Sequence, residues 1–345
     1  DGLIVEPEYY VPIIPMILVN GSEGIGTGWS SFIPSFNPIE IIGSIRLMIE
    51  NFKKEKPLQE ALPELRPWFR GYTGTIEKLD EKRYISRGKF NVVNDTTVEI
   101  TELPIRVWTD KYKEYLETLI IDSKVTDKKL LKKQVIKYYN SHSTDEEVKF
   151  EIKFPKDEGY LFELDPVKLE KTFKIASSIN LGNMVLHNEH GILTKYDSVE
   201  EILMDFIDIR IKYYERRRDL LMKEIKKDIN LLEIKIRFIM EFIEGKILIN
   251  NKKKTEIVEQ LENNKYPKLD DSYDFLLKMP IYNLTKERID ELNKDNDMKT
   301  EMYQNLKDKT IDRIYYDELT ELEKEYKKFL NEKEKNEEYE PKKKK

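Results

Sequence analysis

From Tyr196 to Ile247 the chain reads "YDSVEEILMDFIDIRIKYYERRRDLLMKEIKKDINLLEIKIRFIMEFIEGKI", and no proline interrupts it. Ser198 and Glu201 stand at its start with the spacing of a capping box. Val199, Ile202, Phe206, Tyr213, Leu221, Ile225, Ile229, Leu232, Ile236, Ile239 and Ile243 recur at three- and four-residue steps, the period of one helix face. At about 1.5 Å per residue, some ~46 residues make roughly 70 Å of helix, longer than a small domain is wide. Such a helix needs a partner along its length. The far end of the chain offers one in "TEMYQNLKDK" and "YYDELTELEKEYKKFL", whose stripe is Leu319, Leu322, Tyr326, Phe329 and Leu330. Between about 250 and 300, shorter amphipathic stretches are punctuated by Pro267 and Pro280. The pattern is a long helical arm, a small helical head and a return.

The chain has 345 residues, enough for about two or three domains. A charged fraction of 37% requires much solvated surface, such as long exposed helix faces. With 60 basic and 66 acidic residues the net charge is -6, which is not the overall signature of a nucleic-acid binder. Local basic patches, however, set the local field. No cysteine is present, which excludes disulfides, thiolate metal sites and a cysteine nucleophile. No apolar run approaches the ~20 residues of a membrane span, and no signal peptide is visible. The chain starts at Asp1 inside what reads as an ongoing fold, so a fragment or a processed product is expected.

The opening stretch "LIVEPEYYVPIIPMILVNG" is apolar but broken by Pro7, Pro12 and Pro15, which predicts extended chain. In "NPIEIIGSIRLMIENF", Asn37 fits an N-cap, Pro38 the first helical position and Glu40 a capping box. Ile41, Ile42, Ile45, Met48, Ile49 and Phe52 then follow a helical stripe. "YTGTIEKL", "RYISRGKF", "TTVEITEL" and "EEVKFEIKF" alternate and read as short antiparallel strands. "WTDKYKEYLETLI" reads as a helix capped by Thr109, Lys124–Asn140 as a lysine-rich helix, and "LDPVKLEKTF" as a short helix with Pro166 in its first turn. "NMVLHN" and "GILTKY" read as a hairpin pair. The terminal "NEKEKNEEYEPKKKK" is a charge run with the composition of disorder.

Ahead of the first helix lies "LVNGSEGIGTGWSSFIPSFNP", with glycines at 24, 26 and 28 and the bulky Ile25 among them. A dinucleotide fingerprint needs GxGxxG opening directly into a helix; here the spacing is GxxGxGxG, and Pro34 and Pro38 intervene. Two readings stay open. One is a structural turn. The other is a nucleic-acid contact, in which the glycines allow close approach and Ile25 wedges between base pairs. "KIASSINLGN" holds Lys174, Ser177, Ser178, Asn180 and Asn183, types that contact phosphate, although an ordinary polar loop has the same composition. Arg210, Lys212, Arg216, Arg217 and Arg218 span more than one helix face, which favours a solvated helix surface. His187 and His190 have no neighbouring set that completes a metal site. No Ser/His/Asp triad, carboxylate dyad or Walker motif stands out.

"EPEYYVPIIPMILVNGSEGIGTGWS", "PWFRGYTGTIE", "ITELPIRVWT", "NMVLHNEHGILTKYDSVEEIL" and "FLLKMPIYNLTKE" together resemble the eukaryotic form of the type IIA DNA topoisomerases. The resemblance covers nearly the whole chain, and its first motif is the most specific. The run from Lys124 to Asp145 matches poorly, and Pro280 stands where the family commonly carries a basic residue after the methionine.

The resemblance implies a mixed α/β, helix-rich fold in four parts. Residues 1–65 would end a winged-helix region with a DNA-bending loop, and 66–190 would form an α/β tower. Residues 191–336 would form a long antiparallel coiled-coil arm with a small helical exit-gate head, and 337–345 a disordered charged tail. It places the family's intercalating isoleucine on Ile25. Its DNA-binding tower segment falls on Lys174, Ile175, Ala176, Ser177, Ser178, Ile179, Asn180, Leu181, Gly182 and Asn183. The nucleophilic tyrosine is expected upstream of Asp1, which leaves no catalytic residue in this chain; Tyr9 and Tyr10 lie in the wrong motif. The implied partners are double-stranded DNA, a second copy through the exit gate, and upstream ATPase and cleavage domains, with no membrane. No cofactor is expected in this segment, with Mg2+ and ATP implied for the parent and the nucleus as its location. The competing expectations are a structural coiled-coil dimer that does not touch DNA and, less well supported, a nucleotide-binding enzyme.

Overall fold

The computed structural model describes residues 5–7, 10–26, 28–53, 63–121, 134–144, 147–155 and 165–339. Contacts divide the chain into two units, Asp1–Ile207 and Asp208–Lys345.

The first unit begins with a departure from the expected extended chain: α1, Met16–Asn20, is a short helix directly behind Pro15. Proline is disruptive inside a helix, but at its start the missing N–H is one the helix leaves unpaired anyway. The Pro15 carbonyl accepts from Leu18 N–H at 3.0 Å. Gly21 ends the helix at φ +69°, where a Cβ would lie 2.7 Å from the Ile33 carbonyl oxygen, so glycine alone fits. The hairpin β1 (Ser22–Gly26) and β2 (Trp29–Ile33) follows. Helix α2 spans Pro38–Lys53, with the Asn37 side chain accepting from Ile39 N–H at 3.0 Å. Ile41, Ile42, Ile45, Met48 and Ile49 are buried as their spacing predicts; the Phe52 side chain lies outside the described residues.

The rest of this unit is built on two antiparallel sheets. One orders β3 (Thr75–Lys78), β4 (Arg83–Arg87) and β9 (Ala176–Asn180). The other orders β5 (Lys89–Asn94), β6 (Thr97–Glu102), β8 (Phe150–Lys153) and β7 (Tyr138–Ser141). Helices α3 (Thr109–Glu117) and α4 (Pro166–Thr172) cover the second sheet. They bury Tyr112, Leu116, Leu169 and Phe173 against Val98, Ile100, Phe150 and Ile152. The Tyr112 hydroxyl donates to the Phe173 carbonyl at 2.7 Å, so the buried phenol is satisfied. β10 (Met184–His187) and β11 (Leu193–Tyr196) form the expected hairpin.

Two expectations need correction here. Thr109 is the first helical residue of α3 and not its cap; Trp108 occupies the cap position without a side-chain hydrogen bond. Tyr138, Tyr139 and Asn140, at the end of the stretch expected to be helical, instead belong to strand β7 (Tyr138–Ser141), because pairing with β8 overrides the lysine-rich composition before it. The segment 122–133 lies outside the described residues.

Helix α5, Val199–Ile243, is the long proline-free run. Ser198 Oγ accepts from Glu201 N–H at 3.3 Å, while the Glu201 carboxylate accepts from Asp197 N–H at 2.8 Å, one residue earlier than an ordinary capping box.

In the second unit, α5 pairs antiparallel with α8 (Lys286–Asp308) and α9 (Ile311–Tyr339). As numbers rise on α5 they fall on its partners. Tyr214 lies against Tyr315 at 5.0 Å between ring centroids, Asp228 pairs with Lys299, and Phe238 and Ile239 share a cluster with Leu292. The basic cluster on α5 is not all solvated, contrary to expectation. Arg210, its side chain only 12% exposed, meets Glu318 at 3.1 Å, and Arg217 meets the same carboxylate at 2.8 Å. Leu319 is buried as its stripe predicts, whereas Phe329 is exposed. The head lies between, with α6 (Lys254–Asn263), α7 (Asp274–Leu277) and a 3-10 turn Ile281–Asn283. Its core gathers Phe238, Ile247, Leu261, Tyr266, Tyr273 and Leu276. α9 is helical to Tyr339, and residues 340–345 lie outside the described ones.

Candidate functional site

The glycine-rich stretch is a two-stranded ribbon. Its register pairs Ser22 with Ile33, Glu23 with Phe32, Gly24 with Ser31, Ile25 with Ser30 and Gly26 with Trp29. Gly28 holds a left-handed conformation at φ +78° and supplies the tight return that a larger residue would strain. Ile25 is 92% exposed, with its hydrocarbon projecting next to the turn.

Contacts from Arg106, Asn183 and Val185 fix this ribbon along its length. Arg106 forms an ion pair with Glu23 of β1, and its guanidinium lies 4.6 Å from the centroid of the Phe32 ring on β2. Asn183 Nδ2 donates to the Ser30 carbonyl at 3.0 Å and to Ser30 Oγ at 2.7 Å. Phe32 N–H donates to the Asn183 carbonyl at 2.9 Å, and Val185 N–H to Ser31 Oγ at 3.2 Å. The last residue of the Lys174–Asn183 stretch is therefore bonded to the strand facing Ile25. Two segments more than a hundred residues apart in sequence form one surface.

Within that stretch the residues divide by burial. Ile175, Ile179 and Leu181 are buried. Ile175 belongs to the core of the second sheet, and Ile179 lies on β9 opposite Tyr84. Ser177 offers its carbonyl to Ser86 Oγ at 3.2 Å. Lys174, Ser178 and Asn180 are exposed, while Ala176, Ser177, Gly182 and Asn183 are partly so. Since β9 is the edge strand of its sheet, the alternating Ser178 and Asn180 share one outward face. Lys174, at φ +48°, holds its ammonium 4.0 Å from the Tyr115 ring centroid, which keeps the charge at the surface in a fixed place. The Asn180 side chain accepts from Gly182 N–H at 2.8 Å, shaping the turn into Asn183.

Behind β9, Arg87 lies between Glu170 at 3.1 Å and Glu77 at 2.6 Å. Those carboxylates raise its affinity for its proton, although burial opposes them. Beside it, burial together with the Glu102 carboxylate pushes the Tyr72 phenol up to about 12, while a Ser86 hydrogen bond opposes the shift. Neither group is primed for proton transfer near neutrality.

Among the described residues, no group of three or more His, Asp or Glu is arranged to hold a metal ion. The described residues therefore offer no ligand set for the Mg2+ that the resemblance implies for the parent. Tyr10 is exposed, and Tyr9 lies outside the described residues.

Sequence reasoning missed Arg106 and Trp29 as parts of this site. Arg106 was inside a recognised stretch, but only the fold shows that it reaches β1 and β2. Trp29, 55% exposed beside the turn, was in plain view in "GIGTGWS".

The family model for the A subunits of DNA gyrase and topoisomerase IV matches residues 1–342. The chain is 37% identical over 355 residues to DNA topoisomerase 2-alpha of Rattus norvegicus, an alignment covering 92% of this chain and 22% of that protein. It is 33% identical over 379 residues to DNA topoisomerase 2 of Saccharomyces cerevisiae, covering 96% of this chain and 25% of that one. A solved structure, the Plasmodium falciparum topoisomerase II DNA-binding, cleavage and re-ligation domain, superposes with a TM-score of 0.77 at 32% identity. It covers 95% of this chain and 46% of that chain. The chain thus spans about a quarter of the curated relatives it matches. On these matches the chain belongs to the DNA gyrase/topoisomerase IV A-subunit family and is similar to the eukaryotic type IIA topoisomerases.

Proposed function

We propose that this chain is the part of a type IIA topoisomerase that holds and bends the duplex to be opened and forms the gate through which a second duplex leaves. The observation that carries this is Ile25, bare near the tip of a ribbon whose second strand, at the residue paired with Ile25, is bonded to the Lys174–Asn183 segment. A hydrocarbon inserted at a base step unstacks it and kinks the duplex, at a cost of about a few kcal/mol. Because that cost varies with sequence, bending also selects deformable sites. Lys174, Ser178 and Asn180 supply backbone contacts that set register without reading bases.

In this proposal, residues 1–65 carry the bending ribbon, 66–190 the tower that flanks the duplex, 191–336 the arm and gate head, and 337–345 a charged tail. The parent enzyme cuts one duplex through a phosphotyrosyl link, which conserves the energy of the broken bond, and passes another through the break with ATP. The nucleophilic tyrosine, the Mg2+ site and the ATPase are assigned to other parts of that enzyme. A second copy meets this one at the head, where Ile281 is 85% and Tyr282 78% exposed. The parent acts in the nucleus.

Titration of a labelled duplex across salt concentrations tests the DNA contact. Phosphate neutralisation predicts affinity falling steeply with salt. A duplex with a donor and an acceptor dye at its ends tests the wedge, since Ile25→Ala is expected to leave it bound but straighter. Absence of salt-dependent binding would leave the structural coiled-coil reading in place of this one.

A further inference from the structure

We infer that Trp29 is a second DNA-contacting side chain of the ribbon, lying against the sugar–phosphate wall of the duplex whose base step Ile25 enters. This rests on the DNA reading above. Alternation along the paired strands puts Glu23, Ile25, Ser30 and Phe32 on one face, and Gly24, Gly26, Trp29 and Ser31, whose Oγ accepts from Val185 N–H, on the other. The first face is occupied near its root by Arg106, which holds both Glu23 and Phe32. The outer edge of β2 is occupied by Asn183 and Val185. At the tip of the second face stands the exposed indole, beside two residues that have no side chain.

The chain's own packing does not account for those two glycines. Neither Gly24 nor Gly26 has a positive φ. A Cβ on Gly24 would meet nothing within 4 Å, and one on Gly26 nothing nearer than the Trp29 carbonyl oxygen at 4.0 Å. Glycine inside a strand weakens it and often marks close approach by another backbone. A bare strand next to an exposed indole lets a second body reach the ribbon's backbone and lie on the ring. Duplex DNA has the matching chemistry. Deoxyribose offers apolar surface to the ring, and phosphate offers only acceptors to an indole N–H that can only donate. The nearby carboxylate of Glu23 is already paired with Arg106, so it does not repel that backbone. Ile25, one residue from Gly24 and from Gly26, projects from the opposite face, so Ile25 and Trp29 flank the same ribbon tip.

Two measurements test this with the chain and a dye-labelled duplex. In the first, Trp29→Ala is expected to weaken binding about tenfold, the scale of losing a hydrogen bond to a charged acceptor, while Trp29→Phe, which keeps a ring but has no N–H, recovers only part of the affinity. Ile25→Ala serves as the reference for lost bending. The second does not depend on Trp29→Ala folding. Trp68→Phe with Trp108→Phe leaves Trp29 as the sole tryptophan emitter, and saturating duplex is expected to quench it and shield it from acrylamide. Unchanged affinity in a folded Trp29→Ala, or a lone Trp29 indifferent to saturating duplex, overturns the inference and leaves the role of Ile25 standing. If the unaltered chain shows no salt-dependent binding, the DNA reading falls and takes this inference with it.

Discussion

Ile25 buries almost nothing within its own chain, and that separates its role in folding from its role toward a partner. Ile25→Ala is therefore expected to change stability by no more than about 0.5 kcal/mol, as for a surface site, while lowering the bend of a bound duplex. Thermal melts set beside dye-pair bending measure the two effects; a clearly lowered melting temperature would mean that the side chain packs. Asp274 presents a different single-residue case. Lys278 and Lys254, at 2.8 Å and 3.1 Å, hold its carboxyl down at about 2, below the ordinary value of 3.8. A depressed acid stabilises the fold above its unfolded pKa, and that contribution disappears as the pH falls from about 4 to about 2. Asp274→Asn should accordingly be less stable than the parent at neutral pH, with the difference vanishing toward pH 2. Denaturant melts across that range would show it, and the effect is small because the pair is at the surface.

At the scale of elements, the paired helices depend on an acid inserted among donors. Glu318 accepts from Arg210, Tyr214 and Arg217 of α5. Removing its charge in Glu318→Ala is expected to cost about 1–3 kcal/mol, read as a drop of several degrees in the melting temperature of the unit Asp208–Lys345. The helices were legible in the sequence because a periodic stripe states its own geometry. Val199 to Ile243 could hardly fold otherwise, and Asn37-Pro38 marked the start of α2. The Glu318 contact was not legible, since nothing local relates that position to Arg210. For the same reason the basic cluster read as solvated surface. Strand β7 was missed because its pairing with β8 is non-local. The candidate site was half legible. Ile25 stood out among glycines, but Arg106 lies about eighty residues away, and the ten-residue Lys174–Asn183 segment gave no sign that Ile175, Ile179 and Leu181 point inward.

For the whole molecule, net charge says little about partners. At -6 the chain should repel a polyanion, yet its proposed contacts are local and carry their own positive groups. The proposed association with a second copy is a separate matter, assigned in that proposal to the apolar head turn. Ile281→Asp is expected to shift the chain from dimer to monomer in sedimentation equilibrium without unfolding the head, because the side chain is exposed in a single copy. An unchanged dimer would move the contact elsewhere. The mounting of the glycine ribbon has a mechanical consequence. Arg106 holds Glu23 and Phe32 nearer the base, and Asn183 holds Ser30, the residue paired with Ile25. A load on Ile25 crosses the ladder into Asn183 first, with Arg106 as the second support. The angle a duplex adopts is then set by the stiffness of a mount directly beside the side chain that touches it.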